Sequence, residues 1–156
     1  MRGAPLAAAK QQLIASLDAL SSVHQFQVIF FNHQVQAWDL TGGQRRIPFA
    51  SDANKALAIE FIQHVTADGA TERMAPLLRA ISLNPDAIFF LTDADDRMSP
   101  LEQADVIQRA LRDGTEITCI EFGDGPRRQS QNFLTAIAAE TGGDYVYVDV
   151  TKLGAR

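Results

Sequence analysis

Apolar residues fall into two periodicities along this chain. Leu6, Leu13, Ile14, Leu17 and Leu20 recur at helical spacing, which predicts an amphipathic helix over 5–21. "QFQVIFF" (25–31) is dense in aromatic and β-branched residues and reads as a strand. Asn32-His33 turns the chain, "QVQAWDL" (34–40) reads as a second strand, and "TGGQRR" closes that segment with a glycine pair. Leu57, Ala58, Phe61, Ile62 and Val65 return to helical spacing, with Ser51 or Asp52 available as the cap. Met74, Leu77, Leu78 and Ile81 mark a third helix, with Pro76 expected at its first position.

"DAIFFLT" (86–92) is apolar nearly throughout, the pattern of a strand covered on both faces. "SPLE" (99–102) is a strong helix start: Ser99 caps, Pro100 opens and Glu102 completes a capping box, with Gly114 as the stop. "EITCIEF" is a fourth strand, "GDGPRRQSQ" a loop, and Phe133, Leu134, Ile137 and Ala138 a last helix ending at Gly142-Gly143. "DYVYVDV" is the final strand. Strands alternating with helices through short loops predict an α/β fold: a mostly parallel sheet with helices on both faces, in one domain spanning 1–156. In such sheets ligands sit beyond the carboxyl ends of the strands, where Asp93 falls.

Composition narrows the function classes. The 156 residues carry a formal charge of −5, which gives no electrostatic footprint for nucleic acid or an anionic membrane. The single cysteine, Cys119, lies in an apolar run and reads as an inert buried thiol, so no intramolecular disulfide can form. No apolar stretch is long enough to span a membrane, and Lys10, Gln11 and Gln12 interrupt the N-terminal run, so no signal peptide is expected and a cytoplasmic location is favoured. His24, His33 and His64 have no ligand spacing, and no glycine-rich phosphate loop with a lysine is present.

The candidate chemistry lies in "IFFLTDADDRM" (88–98), where Asp93, Asp95 and Asp96 follow a strand. The order of elements here resembles the von Willebrand factor A domain family over essentially the whole chain. "FQVIFFN" with "VQAW" resembles two of the family's strands, and "DGATERMAPLLRAI" its threonine loop and helix. "PDAIFFLTDADD" resembles the strand that ends on its aspartate, and "IAAETGGDYVYV" the last helix and strand. The resemblance implies a three-layer, Rossmann-like fold and a metal-ion-dependent adhesion site. In that site, Thr71 and Asp93 match two of the three cation-binding loops, and Asp95 could add a further carboxylate. The third loop, an Asp-x-Ser-x-Ser after the family's central first strand, has no counterpart, so the chain is expected to be an N-terminally truncated member.

A hard cation requires about six oxygens in tight geometry, so the resemblance implies an incomplete site: no cofactor, or at most weakly held Mg²⁺ or Mn²⁺. The expected function is a non-enzymatic protein-binding or assembly module. The expected partner is a protein or a second copy, held through the strands that flank the missing one. Direct pairing of 25–31 with 87–92 is the simplest repair of the sheet, followed by strand exchange in a dimer or insertion of a partner segment. A competing reading is a small Mg²⁺-dependent phosphohydrolase. "DAD" followed by "FGDGP" resembles haloacid-dehalogenase phosphatases and would use Asp93, Asp95 and Asp124, although no lysine lies between Asp96 and Gly123.

Overall fold

The computed structural model describes residues 4–31, 35–38, 46–66, 74–93, 97–127 and 131–152. The chain runs through α1 (Ala4–Asp18), β1 (Ile29–Phe31), β2 (Val35–Ala37), α2 (Asp52–His64) and α3 (Met74–Ile81). It continues through β3 (Ala87–Thr92), α4 (Pro100–Asp113), β4 (Glu116–Gly123), α5 (Phe133–Thr141) and β5 (Tyr145–Asp149), and ends in a 3-10 turn, Val150–Lys152. None of the described helices is long and apolar enough to cross a membrane.

Two sheets form. β3, β4 and β5 make a parallel sheet in that order, with Ala87 opposite Glu116 and Cys119 opposite Tyr145. β1 and β2 make a separate antiparallel pair, with Phe31 opposite Val35. The expected direct pairing of β1 with β3 is not found among the described residues. Instead, the Phe31 and Phe90 rings stack with centroids 5.5 Å apart, so side chains join the two sheets.

Local chemistry sets the helix ends. Ser99 accepts from the Glu102 amide (3.3 Å), Glu102 accepts from the Ser99 amide (2.8 Å), and Gly114 terminates α4 at φ 70°. Gly142 ends α5 at φ 81°, and a Cβ on Gly143 would overlap the Ile117 carbonyl, so "TGG" lets the chain turn and then pass close to β4. α3 begins two residues earlier than Pro76 suggests. Proline is tolerated there because first-turn amides have no helical acceptor. Lys10 donates to the Gln63 (3.0 Å) and Val65 (2.5 Å) carbonyls at the end of α2, while Lys55 donates to the Asp18 (3.3 Å) and Leu20 carbonyls at the end of α1. Each lysine thus neutralises the carbonyl end of the neighbouring helix.

Two principal cores result. Phe90, Ile117 and Cys119 on one face of the parallel sheet pack against Leu77, Ile81, Val106, Ala110, Leu134 and Ile137 of α3, α4 and α5. Burial there pushes the Cys119 thiol up to about 12, as expected of an inert thiol. Around β1 and β2, Leu17, Val28, Ala58 and Ile62 enclose the stacked Phe26–Trp38 pair. On the opposite face of the parallel sheet α1 reaches only part way. Ala9 packs with Phe122 and Val150, next to Leu91, Ile120 and Val148.

This corrects the expectation that 86–92 is covered on both faces. Phe90 is 4% exposed, but Phe89 on the opposite face is 68% exposed. An unbroken apolar run is thus half open to water because α1 is engaged with α2.

Thr141 carries a buried polar link. Its hydroxyl donates to the Ile137 carbonyl (2.8 Å) and accepts from the Ile117 amide (3.1 Å), supplying a partner where β5 has not yet begun. Thr141→Val leaves that amide unpaired and is expected to lower unfolding free energy by about 1–3 kcal/mol, with Thr141→Ser closer to the parent. Urea unfolding checks this, and a valine variant as stable as the parent would refute the role given to the hydroxyl.

Candidate functional site

In a parallel sheet the main chains of all strands emerge at one end, and the loops there are the usual place for ligands. β3 delivers Thr92, which is 2% exposed, and then Asp93, which is half-buried. Both have interaction partners of their own. β4 delivers Glu121, directly opposite Thr92, and the turn beyond Gly123 carries the exposed Asp124. β5 delivers Tyr145, Tyr147 and Asp149.

The carboxylates of β4 and β5 are already engaged. Glu121 accepts from the Asn132 amide group (2.6 Å) and from the Tyr145 hydroxyl (2.6 Å). Asn132 also caps α5, accepting from the Leu134 and Thr135 amides (3.1 Å each). The Arg127 guanidinium lies 4.3 Å from the Tyr145 ring centroid. Asp149 accepts from the Gly125 amide (3.1 Å) and from the Thr151 amide (3.0 Å) and hydroxyl (2.6 Å), with Lys152 at 3.6 Å. Those donors, the Thr151 hydroxyl foremost, hold the Asp149 carboxyl below its ordinary range. Burial, then the hydrogen bond to Glu121, raises the Tyr145 phenol well above its ordinary value.

Of the residues expected to form a metal site, the described part of the chain contains Asp93 alone; Thr71 and Asp95 lie outside the described residues. Asp124 shares the sheet end with Asp93, but no three histidine, cysteine, aspartate or glutamate side chains among the described residues are grouped to hold a metal ion. The sequence reading missed Glu121, Asn132 and Tyr145. Their signals were present, a charged residue inside an apolar strand and a helix-capping asparagine, but nothing in the sequence pairs residues 11 and 24 positions apart.

A second feature lies at the side of the sheet. The Glu116 amide donates to the Asp86 carbonyl (3.0 Å), which fixes the phase of the β3–β4 ladder. Alternate residues of a parallel strand address opposite neighbours, so Ile88 and Phe90 turn their main-chain groups to β4. Ala87, Phe89 and Leu91 turn theirs away, and no described strand meets them. In β1, the Trp38 amide bonds to the Val28 carbonyl (3.0 Å), so Val28 and Phe30 address β2 while Ile29 and Phe31 face outward.

Neither a protein-family model nor a curated protein matches the sequence. Solved structures do. The chain superposes on a "von Willebrand factor type A from Catenulispora acidiphila" with a TM-score of 0.76 and 22% identity, over 96% of its own length and 36% of that protein's. The fold is that of a von Willebrand factor A domain. The chain therefore spans about a third of the structure it matches. An "Uncharacterized Membrane Spanning Protein from Vibrio fischeri" aligns at 19% identity over 96% of this chain and 80% of that one, but its TM-score of 0.35 supports no argument. The A-domain likeness bears out the three-layer, Rossmann-like reading of the sequence.

The Tyr145–Glu121 pair gives a pH dependence. The folded pKa of Tyr145 lies above the unfolded value of about 10, so its contribution to stability is intact below pH 10 and is lost as pH rises beyond it. Following tyrosinate absorbance with pH should show one of the two tyrosines resisting ionisation. Glu121→Gln should bring that residue back toward its ordinary value, and identical titrations of parent and variant would refute the pairing.

Proposed function

We propose that this A-type domain is a non-enzymatic protein-binding or assembly module whose cation site is incomplete. The supporting observation is how the described carboxylates at the sheet end are used. Glu121 is committed to Asn132 and Tyr145, and Asp149 to Gly125, Thr151 and Lys152. To coordinate a cation, either would have to give up internal donors, and one removal would also disturb the cap of α5. Asp93 is then the one described carboxylate of the resemblance-based site. A single carboxylate falls well short of the roughly six oxygens a hard cation requires. The same commitments weigh against the phosphohydrolase reading, which relies on Asp93, Asp95 and Asp124 holding Mg²⁺ between them.

An A-type fold without a full cation site can still bind through shape and main-chain contacts, which are independent of metal. Titration calorimetry with MgCl₂ and MnCl₂ is expected to show no saturable binding at micromolar metal, and the chain is expected not to turn over p-nitrophenyl phosphate. Saturable binding lost in Asp93→Ala would overturn the incomplete-site reading. Mg²⁺-dependent turnover abolished by Asp93→Asn would establish the phosphohydrolase instead.

A further inference from the structure

We infer that the outer edge of β3 receives a single extended, apolar segment of a partner polypeptide, which adds to the sheet on the side facing β1. The inference rests on the reading of the chain as a protein-binding module and names the surface and the form of the ligand.

Main-chain chemistry identifies the occupant. Ala87, Phe89 and Leu91 present N–H and C=O groups away from β4, at the two-residue repeat of a strand. Another extended main chain is the ligand that satisfies such a row. The side chains set its character. On one face the slot is floored by the stacked Phe31 and Phe90 rings, and on the other stands Phe89, 68% exposed, with Val146 at 44% further along the same face. Phe30 lies on the α1–α2 side of β1, in edge contact with Phe61 at 5.9 Å. An incoming strand thus meets apolar surface above and below. Small side chains suit the face already filled by the Phe31–Phe90 stack, and large ones suit the Phe89 face.

Edge strands are ordinarily protected by charges, proline or a bulge. The run Ala87–Leu91 has none of these and pairs regularly with Glu116–Ile120 on its other side. The supplier is argued by elimination within the fold. Each described strand of this chain is already paired in its own sheet, so a second copy would have to dismantle a ladder to donate one. The Phe31–Phe90 contact also brings the β1–β2 pair alongside. That leaves room for one strand and not for the edge of another folded sheet.

The test uses the whole chain and a synthetic peptide of six alternating alanine and isoleucine residues flanked by lysines, with a control in which a central residue is proline. Amide hydrogen exchange by NMR is the readout. In the free chain the amides of Phe89 and Leu91 are expected to exchange fast and those of Ile88 and Phe90 slowly. The alternating peptide should protect Phe89 and Leu91 while the proline control does not. Phe89→Lys should weaken binding at least tenfold, and Leu101→Lys, at an 84% exposed site on α4, should leave it unchanged.

Slow exchange at Phe89 and Leu91 in the free chain would overturn the proposal. So would peptide binding without new protection there, or equal binding by the Phe89→Lys variant. Self-association that protects the same amides would assign the edge to a second copy and also overturn it. None of these results bears on metal binding or phosphate-ester turnover, so failure here is distinguishable from failure of the proposed function.

Discussion

The parallel ladder along β4 is the interaction on which the larger half of the molecule depends. β4 is the one strand paired on both edges, to β3 on one side and β5 on the other. Its apolar residues Ile117 and Cys119 sit at the centre of the α3–α4–α5 core. Where β5 has not yet begun, the Thr141 hydroxyl takes over as the partner of the Ile117 amide, so the buried main chain stays satisfied beyond the end of the ladder. Gly143 is required in the same place, because no side chain fits between the start of β5 and the Ile117 carbonyl. Pairing, capping and close approach are here one local solution, and α5 is fixed by it.

That solution has no equivalent on the far side of β3. β3 is held by β4 along one edge and by α3 and its neighbours through Phe90 on one face. Its other edge and the Phe89 face are left to α1, which is anchored elsewhere by the reciprocal lysine caps with α2. The two sheets are joined by a ring stack rather than by hydrogen bonds. Ring contacts tolerate displacement that a hydrogen-bonded ladder does not, since dispersion is non-directional and a main-chain hydrogen bond weakens steeply off its axis. The joint between β1 and β3 is therefore the place where this fold can admit another chain without first breaking a ladder.

Much of this was legible in the sequence because its causes are local. The capping box at Ser99–Glu102, the stop at Gly114 and the glycine pair after Thr141 each act within a few residues, and the structure has them as expected. The alternation of helix and strand gave the layered A-type architecture for the same reason. What could not be read was who covers what. An apolar run such as 87–91 looks the same whether one face or two are buried, because the strand does not encode the position of α1. The Glu121–Tyr145–Asn132 network was equally hidden, since it is made by the register of β4 on β5 and not by spacing along the chain. The candidate metal residues show the same limit from the other side. Asp93 sits at the strand end where the sequence placed it, while Thr71 and Asp95 lie outside the described residues.

The acidic stretch after β3 and the bare edge of β3 are consequences of one strand's position. As an edge strand, β3 brings Asp93 to the end of the sheet with Glu121 on one side only. Glu121 is turned toward Tyr145 and Asn132, so the two carboxylates do not act as a ligand pair. A strand added on the outer side of β3 would lengthen the ladder by one and cover Phe89. It would also bring whatever follows it in the partner's chain to the free side of Asp93, because strand ends in this sheet converge on one rim. Occupation of the edge and the chemistry at the rim are in that sense coupled through β3. The same partner segment that completes the sheet would stand beside the Asp93 carboxylate and set which groups that carboxylate can reach.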